Sequence, residues 1–265
     1  MTALSVDELR DQLRHARIAG DVATPRENNL EKYATFAAGK ASASFGLKPA
    51  RSWSVDDVVA LMARKVGVSD DPGHQQGADY IDPDRTIDGL ARMAAQLAAA
   101  AGPGHRVVVA TGHPAGLLAI HLPVARALAA TGTAVLTPAQ GWSYDVHMHN
   151  GRVTREIRYV GGVAMVSTRG ELNHTHSPRP MQAMLADLAG AGAEPPDLVV
   201  ADHGWAGAAG QAGITSVGFA DSNDPALFVG EEEGKVAVAV PLDDNVAPHL
   251  YTPLTDFLLH AAGLG

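Results

Sequence analysis

Histidines are concentrated between residues 113 and 203, where they could take part in acid–base or metal chemistry. A histidine can donate a proton to a leaving group, bind a phosphate oxygen or ligate a metal ion near neutral pH. The chain has no cysteine, so a thiol nucleophile and a cysteine zinc site are excluded. Seven of the 12 histidines lie in one stretch: His113, His121, His147, His149, His174, His176 and His203.

Two of these histidines occupy matching positions in a repeated pattern, VVVATGHPAGLL at 107–118 and LVVADHGWAGAA at 198–209. In each, an apolar strand pattern ends at a histidine flanked by glycine. Ligands bind at the carboxyl ends of parallel strands, where the next helix offers free N–H groups to an anion. The two loops therefore predict one anion-binding cleft, although glycine is also usual in a tight strand-to-helix turn. Neither loop matches a nucleotide-binding glycine motif.

We assign catalytic roles in this predicted cleft to His113, Asp202 and His203. Asp202 ends an apolar strand, where a charge is not expected to enter the core and should face the cleft. The alternative role for Asp202 is that of a helix N-cap. Substrate binding is assigned to the neighbouring residues of the two loops, which are Thr111, Gly112, Gly204 and Trp205.

A polar sequence near the N-terminus supplies further candidate substrate ligands. Arg26, Asn28 and Asn29 stand together in TPRENNLEKY, at the start of a helical pattern. The planar guanidinium group of arginine binds phosphate or carboxylate well. The alternative is a capping box followed by a solvated first turn.

Two His-x-His sequences could hold a metal ion. HMH at 147–149 and HTH, which contains His174 and His176, would each place two histidines on one side of a strand. Asp202 or His203 could supply a third ligand to zinc or another divalent ion, such as manganese or magnesium. A solvated strand face has the same spacing, so both interpretations stay open.

Two acidic sequences follow the last predicted strands. Asp221 and Asp224 lie in ADSNDPAL, and Asp243 and Asp244 follow the next strand pattern. Their oxygens suit magnesium or sugar hydroxyl groups. Asp224 precedes a proline, which is typical of a helix start, and we predict that it caps this helix.

The first 101 residues are predicted to be mainly helical. Three helical patterns precede any strand, and an alanine-rich helix follows a loop at 69–80. The small side chains of that helix would permit the close helix approach of a homodimer. The four predicted helices cover residues 5–17, 28–38, 55–66 and 83–101.

The rest of the chain, residues 102–265, is predicted to be the strand-rich part of the same single domain. Arg106–Ala110, Leu117–Ala130 and Thr133–Thr137 form a β-α-β pattern. An antiparallel meander is inserted at about 142–170. The expected fold is α/β, a Rossmann-like three-layer sandwich with a mainly parallel sheet and N-terminal helices packed on it.

Composition limits the class of protein. The 265 residues are 46% hydrophobic and 18% charged, which is too apolar for a disordered chain and sufficient for one large domain. The net charge of −9 without a basic stripe argues against nucleic-acid or anionic-membrane partners. The N-terminus has no signal-peptide core, and no apolar run reaches about 18 residues. We therefore expect a cytoplasmic protein that acts on small molecules.

Several segments together resemble a bacterial family of about this length that is described as phosphatase. They are TPRENNLEKY with a following FGL, DPDRTIDGLARMAAQLAAAAGPGHRVVVATGHPAGLL, PDLVVADHGWAGAAGQAGITSVGFADSNDPALFVGEEEG and VPLDDNVAPHLY. ATGHPAGLL and ADHGWAGAAG are the most distinctive. The resemblance implies a cytosolic hydrolase of a small phosphorylated metabolite.

The residues limit the mechanism that such a phosphatase could use. The aspartyl-phosphate motif DxDx[TV] is replaced by ATGHP after the first strand pattern, and no RHG histidine-phosphatase motif is matched. The remaining mechanism for a phosphatase is attack of water on a phosphomonoester, assisted by a metal ion or by histidine. A non-hydrolytic phosphosugar or nucleotide binding protein or isomerase would use the same loops. A third alternative is that the glycines and histidines serve packing or assembly alone.

Overall fold

The computed structural model describes residues 4–148 and 151–265 of the chain. The strands of this part are β1 (Gly20–Pro25), β2 (Ala78–Ile81), β3 (Arg106–Ala110), β4 (Ala134–Val135), β5 (Ser143–Met148), β6 (Gly151–Val160), β7 (Val163–Thr168), β8 (Glu171–Asn173), β9 (Leu198–Asp202), β10 (Ser216–Ala220) and β11 (Val238–Pro241). The helices are α1 (Val6–His15), α2 (Arg26–Ala37), α3 (Val55–Lys65), α4 (Pro83–Ala99), α5 (Pro114–Ala130), α6 (Arg179–Gly190), α7 (His203–Gln211), α8 (Pro225–Glu232) and α9 (Thr252–Ala261), and short 3₁₀ helices cover Ala41–Ala43 and Pro248–Tyr251.

The large sheet is mixed and mostly parallel. Its strands follow the order β11, β10, β9, β3, β7, β6, β5. In addition, β4 pairs with β3, and β8 pairs with β7. The neighbours from β11 to β7 are parallel, whereas β5, β6, β7 and β8 form an antiparallel meander. The predicted α/β class with a mainly parallel sheet is therefore confirmed, and the meander is one end of that sheet.

The parallel strands are short apolar runs that the structure buries. Every residue of β9 and β10 is buried, as expected for strands covered on both faces. The predicted β-α-β unit is present, since β4 pairs parallel with β3 after α5. β4 is only two residues long, shorter than the strand predicted over Thr133–Thr137.

Local sequence accounts for several helix starts. Ser5 and Ser54 form reciprocal capping boxes with Glu8 and Asp57 at the starts of α1 and α3, and Asp82 caps α4. Each cap satisfies otherwise unpaired N–H groups and contributes about 1 kcal/mol. The N-cap predicted at Ser54 is confirmed.

One prediction about the N-terminal part is wrong. Three helices were expected before any strand, but β1 directly follows α1 and pairs antiparallel with β2. β2 begins inside the segment predicted as a loop, residues 69–80. The two strands are far apart in the chain. Each is stabilised by pairing with the other, and local periodicity does not reveal such a distant partner.

Apolar side chains from both parts of the chain form one continuous core. Tyr33 of α2, Leu90 of α4 and Val200 of β9 are completely buried members of this cluster. Helix α4 packs on β11, and α3 packs on α8, so the N-terminal helices are held against the sheet and its helices. None of the helices in the described residues combines the length and apolar character that a membrane span needs.

A buried ion pair joins α2 to the small sheet. Arg26 Nη1 lies 3.1 Å from Asp79 Oδ2, and both side chains are at most 2% exposed. Asn29 Nδ2 donates to the same oxygen at 2.8 Å, and Arg26 Nε donates to the carbonyl oxygen of His74 at 3.0 Å. The buried face of α2 thus depends on Asp79.

Replacing Asp79 with alanine should lower the free energy of unfolding by about 3–5 kcal/mol, because it leaves the Arg26 charge buried without its partner. Glu232→Ala, which breaks an exposed pair with Arg64, is the matched control and should cost at most about 1 kcal/mol. Urea unfolding followed by circular dichroism measures both values. Equal costs for the two variants would contradict the role given to Asp79.

Candidate functional site

The carboxyl ends of the parallel strands lie along one edge of the large sheet. Asp202 at the end of β9 is level with Phe219, and Ala220 at the end of β10 is level with Pro241 at the end of β11. The loops after these strands and β3 meet here and, with β1, α2 and the segment after β8, bound a cavity of about 360 Å³. We call it the histidine cleft; it is lined by Thr24, Asn28, Lys32, His113, His174, His176, His203, Asp221, Asn223, Asp224, Asp244 and Asn245.

His203, the first residue of α7, contacts three carboxylates. Its Nδ1 is 2.7 Å from Asp202 Oδ1, and its Nε2 is 3.3 Å from Asp224 Oδ2 and 3.2 Å from Asp244 Oδ2. Burial lowers the pKa of His203, but the three carboxylates outweigh it and raise the pKa well above its usual value. The φ of His203 is 46°, which costs a non-glycine residue about 1–3 kcal/mol and persists where surrounding contacts enforce it.

Asp202 does not face the cleft, so that prediction is wrong. It is completely buried, and its Oδ1 accepts hydrogen bonds from Gly112 N at 2.6 Å and from His203. Burial raises the pKa of Asp202, but His203 outweighs this and lowers it below the usual value. Asp202 makes no side-chain capping bond to α7 either. Its contact with Nδ1 orients the His203 imidazole.

His113 faces His203 from the neighbouring loop. His113 Nδ1 is 3.2 Å from Asp244 Oδ2, and the two imidazole centroids are 6.1 Å apart. Burial lowers the pKa of His113, but Asp244 outweighs it and raises the pKa overall. Burial likewise raises the pKa of Asp244, but His113 and His203 hold it well below the usual value. The structure therefore brings both predicted histidines together around Asp244.

The HTH sequence lies between β8 and α6, outside any strand, so its predicted strand position is wrong. Thr175 N donates to the carbonyl oxygen of Gly112 at 2.8 Å, which ties this segment to the first glycine loop. His174 and His176 both line the cleft, and their Nε2 atoms are 3.0 Å apart. Burial, reinforced by His203, lowers the pKa of His174 to about 4 and that of His176 to about 3. Both imidazoles are thus neutral near pH 7.

The four imidazole rings stack in two pairs. His113 lies on His174 with centroids 4.4 Å apart, and His176 lies on His203 at 4.5 Å. Phe45 packs edge-on against His176 at 5.0 Å and has a φ of 53°, a second left-handed non-glycine residue beside the cleft. These contacts restrict ring rotation and keep the nitrogen atoms directed toward one another.

Three buried carboxylates adjoin the histidines. Asp221, Asp243 and Asp244 each have an oxygen within 4.8 Å of the others. Thr24 Oγ1 donates to Asp221 Oδ2 at 2.6 Å, and Asn245 N donates to Asp243 Oδ1 at 2.9 Å. Burial, together with the charges of Asp244 and Asp243, raises the pKa of Asp221 well above its usual value. The two acidic sequences therefore form one cluster.

Asp224 precedes the first residue of α8 but does not cap the helix. Its side chain makes no hydrogen bond to the helix start, so the predicted capping role is wrong. Its carboxylate instead contacts His203, which partly offsets the rise in pKa that burial gives Asp224. Pro225 at the first helical position has no N–H group and reduces the need for a cap.

The predicted substrate-binding side chains do not all reach the cleft. Asn28 lines it, and its Oδ1 accepts a hydrogen bond from Asn223 Nδ2 at 2.8 Å. Arg26 and Asn29 point instead to Asp79, as described above. The remaining side chains of the set, Thr111 and Trp205, are both completely buried.

Gly112 and Gly204 are points of close backbone approach. A Cβ atom would lie 2.4 Å from the carbonyl oxygen of Thr175 at Gly112 and 2.2 Å from that of His176 at Gly204. Only glycine permits the HTH segment to pack this closely on both loops. Packing thus accounts for both glycines, and their predicted contact with a phosphate stays a prediction.

The histidines outside the cleft have other surroundings. His147, on β5, is exposed and is not among the lining residues, whereas His149 lies outside the described residues. His121 is completely buried, and its Nε2 is 3.8 Å from Asp202 Oδ2. Sequence reasoning could not distinguish His121 from an ordinary half-buried helix residue.

Lys32 is a cleft residue that sequence reasoning missed. Among the described lining residues, it is the one lysine or arginine. Lys32 lies one helical turn after Asn28 on α2, and residues four positions apart share a helix face. Helical periodicity could therefore have distinguished this half-buried face from the buried face that contains Arg26 and Asn29.

Comparison with known proteins identifies the family of this chain. The family model described as Phosphatase matches residues 4–265. The chain belongs to this phosphatase family. It is also similar to Phosphatase SCO2771 of Streptomyces coelicolor, with 50% identity over 262 residues that cover 97% of this chain and 96% of the relative. The resemblance to a bacterial phosphatase family is therefore confirmed.

In this phosphatase-family chain, Gly204→Ala should destabilise the fold by about 1–3 kcal/mol, because the added methyl group overlaps the backbone at His176. Gly190→Ala in α6 is the matched control, since nothing lies within 4 Å of its added Cβ atom. The control should change stability by no more than about 1 kcal/mol. Thermal unfolding compares the two, and an unaffected Gly204→Ala variant would contradict the close approach.

Proposed function

We propose that this protein is a phosphatase that hydrolyses a small phosphomonoester in the histidine cleft. The observation that carries the proposal is the pairing of His113 and His203 on matching loops, with His203 Nδ1 held 2.7 Å from Asp202, in a chain of the Phosphatase family. Two imidazoles at one cleft can bring positive charge to the phosphoryl oxygens and a proton to the leaving group. The proposed enzyme class is a phosphoric monoester hydrolase.

The charges of the cleft bear on how such a substrate would bind. A phosphomonoester carries a charge of about −1.5 to −2 at neutral pH. Asp221, Asp224 and Asp244 line the same cavity as Lys32. Because carboxylates repel the substrate, we propose that a divalent cation, magnesium, manganese or zinc, supplies the missing positive charge. His174 and His176 belong to its proposed ligands.

In the proposed reaction, the oxygen of a water molecule bonds to phosphorus while the bond between phosphorus and the ester oxygen breaks. His113 donates a proton to the departing oxygen, and one of the two protons of the attacking water reprotonates His113 after the ester bond has broken. The products are an alcohol and hydrogen phosphate. Asp244 holds His113 at 3.2 Å, and His203, oriented by Asp202, would hold the positive charge of the bound cation beside the phosphoryl group.

A smaller pocket of about 130 Å³ adjoins the histidine cleft. It shares Lys32, His176, Asn223 and Asp224 with the cleft, and Phe45 forms an apolar part of its wall. We assign the leaving group to this pocket. Its volume favours a compact phosphorylated metabolite over a nucleotide or a protein.

For the fold, we propose the Rossmann-like three-layer arrangement. Helices α1, α4, α5 and α9 pack on one another, and α2, α3, α6, α7 and α8 form a second group. Members of both groups contact the large sheet. This division supports one helical layer on each face.

The function is tested with a panel of small phosphomonoesters, assayed for released phosphate with and without Mg²⁺, Mn²⁺ or Zn²⁺. His113→Gln should lower kcat about 10²- to 10⁴-fold through loss of the proton donor, whereas His147→Gln, outside the cleft, should retain full activity. Absence of phosphate release under every condition would overturn the proposal. A ligand-induced rise in Tm without phosphate release would favour the non-hydrolytic binding protein.

Lys32→Met should raise KM about 10- to 100-fold with little change in kcat, because a charged hydrogen bond to the phosphate contributes about 1.5–3 kcal/mol. Lys40→Met removes an exposed charge from the turn after α2 and is the matched control. Steady-state kinetics on the best substrate of the panel compares them. The same KM in both variants would exclude Lys32 as a phosphate ligand.

A further inference from the structure

The nitrogen and oxygen atoms of the histidine cleft are spaced like the ligands of a metal ion. His174 Nε2 and His176 Nε2 are 3.0 Å apart, and His203 Nε2 is 3.3 Å from Asp224 Oδ2. Ligand atoms of His176, His203 and Asp224 all lie within 4.8 Å of one another. Two ligands bound tetrahedrally at about 2.0–2.1 Å from one ion would be about 3.3 Å apart. The observed separations are close to this value.

Asp202 provides the outer contact that a metal-bound histidine needs. A ligating histidine almost always donates its other N–H group to a carboxylate or a carbonyl. His203 Nδ1 has such a contact with Asp202 Oδ1 at 2.7 Å, so its Nε2 is directed toward Asp224 and Asp244. Gly112 N, 2.6 Å from the same oxygen, holds Asp202 in place.

Hydrogen bonds within the protein do not satisfy every donor and acceptor around this centre. Buried His113 Nδ1 faces Asp244 Oδ2 at 3.2 Å, yet it has no hydrogen-bond partner of good geometry among the described residues. The Nε2 atoms of His174 and His176 face each other at 3.0 Å, and two facing ring nitrogens can share only one N–H···N bond. A cation would accept the remaining lone pairs and reduce repulsion among the buried carboxylates.

We propose that the histidine cleft binds one divalent transition-metal ion through His176, His203 and Asp224. His174, whose Nε2 is 3.0 Å from that of His176, adjoins this set as a further candidate ligand. Two imidazoles and one carboxylate favour an ion such as Zn²⁺ over Mg²⁺, which prefers oxygen ligands. The role of this ion in catalysis rests on the proposed phosphatase function, whereas binding of the ion is measured without substrate.

The test is calorimetric titration of Zn²⁺ into the full chain after metal removal with a chelator. Wild type should bind one equivalent, and an excess of Mg²⁺ should not compete. His176→Ala and Asp224→Asn should each weaken binding more than about 100-fold, and Asp202→Asn about 10- to 100-fold through loss of the outer contact. His147→Ala, a histidine outside the cleft, is the matched control and should bind as wild type does.

Circular dichroism and Tm in chelator show which variants are folded, and the isosteric Asp224→Asn variant remains informative where an alanine variant is not. Absence of Zn²⁺ binding by wild type overturns the metal site. Equal affinity in the ligand variants and His147→Ala also overturns it, and the contact between His174 and His176 is then an ordinary hydrogen bond. Zn²⁺ binding without phosphate release from any ester would leave the metal site standing and overturn only the phosphatase function.

Discussion

The arrangement of the site depends on one buried carboxylate. Asp202 ends β9 and accepts hydrogen bonds from the loop after β3, through Gly112 N, and from the ring of His203. An isolated carboxylate could not be buried here, because its desolvation would cost several kcal/mol. These two donors offset that cost, and in return they hold the two glycine loops together. The orientation of His203 toward the cleft follows from this interaction.

The meander has a structural consequence for the same site. Because β7 runs parallel to β3 and β8 returns beside β7, the chain that leaves β8 is brought back to the carboxyl end of β3. Thr175 N then bonds to Gly112, while Gly204 permits close contact at His176. Two imidazoles are thereby added to a site that the parallel strands alone would supply with only His113 and His203.

The histidine cleft combines opposite charges in a buried volume. His203 is favoured as a cation by Asp202, Asp224 and Asp244, whereas burial keeps His174 and His176 neutral. Carboxylates around neutral imidazoles form a good environment for a cation and a poor one for a free anion. Binding of a phosphate ester is therefore expected to depend on positive charge held within this arrangement.

Sequence by itself determined the features that depend on residues close in the chain. Apolar runs and turn residues predicted β3, β9 and most helices, and the repeated strand-to-loop pattern brought His113 and His203 into one predicted site. Tertiary structure decided that Asp202 is buried, that Asp224 contacts an imidazole instead of capping α8, and that β1 pairs with β2. Periodicity encodes which face of an element is apolar, whereas the side chains that meet across loops depend on strand order and register. Those are set by packing between segments distant in sequence.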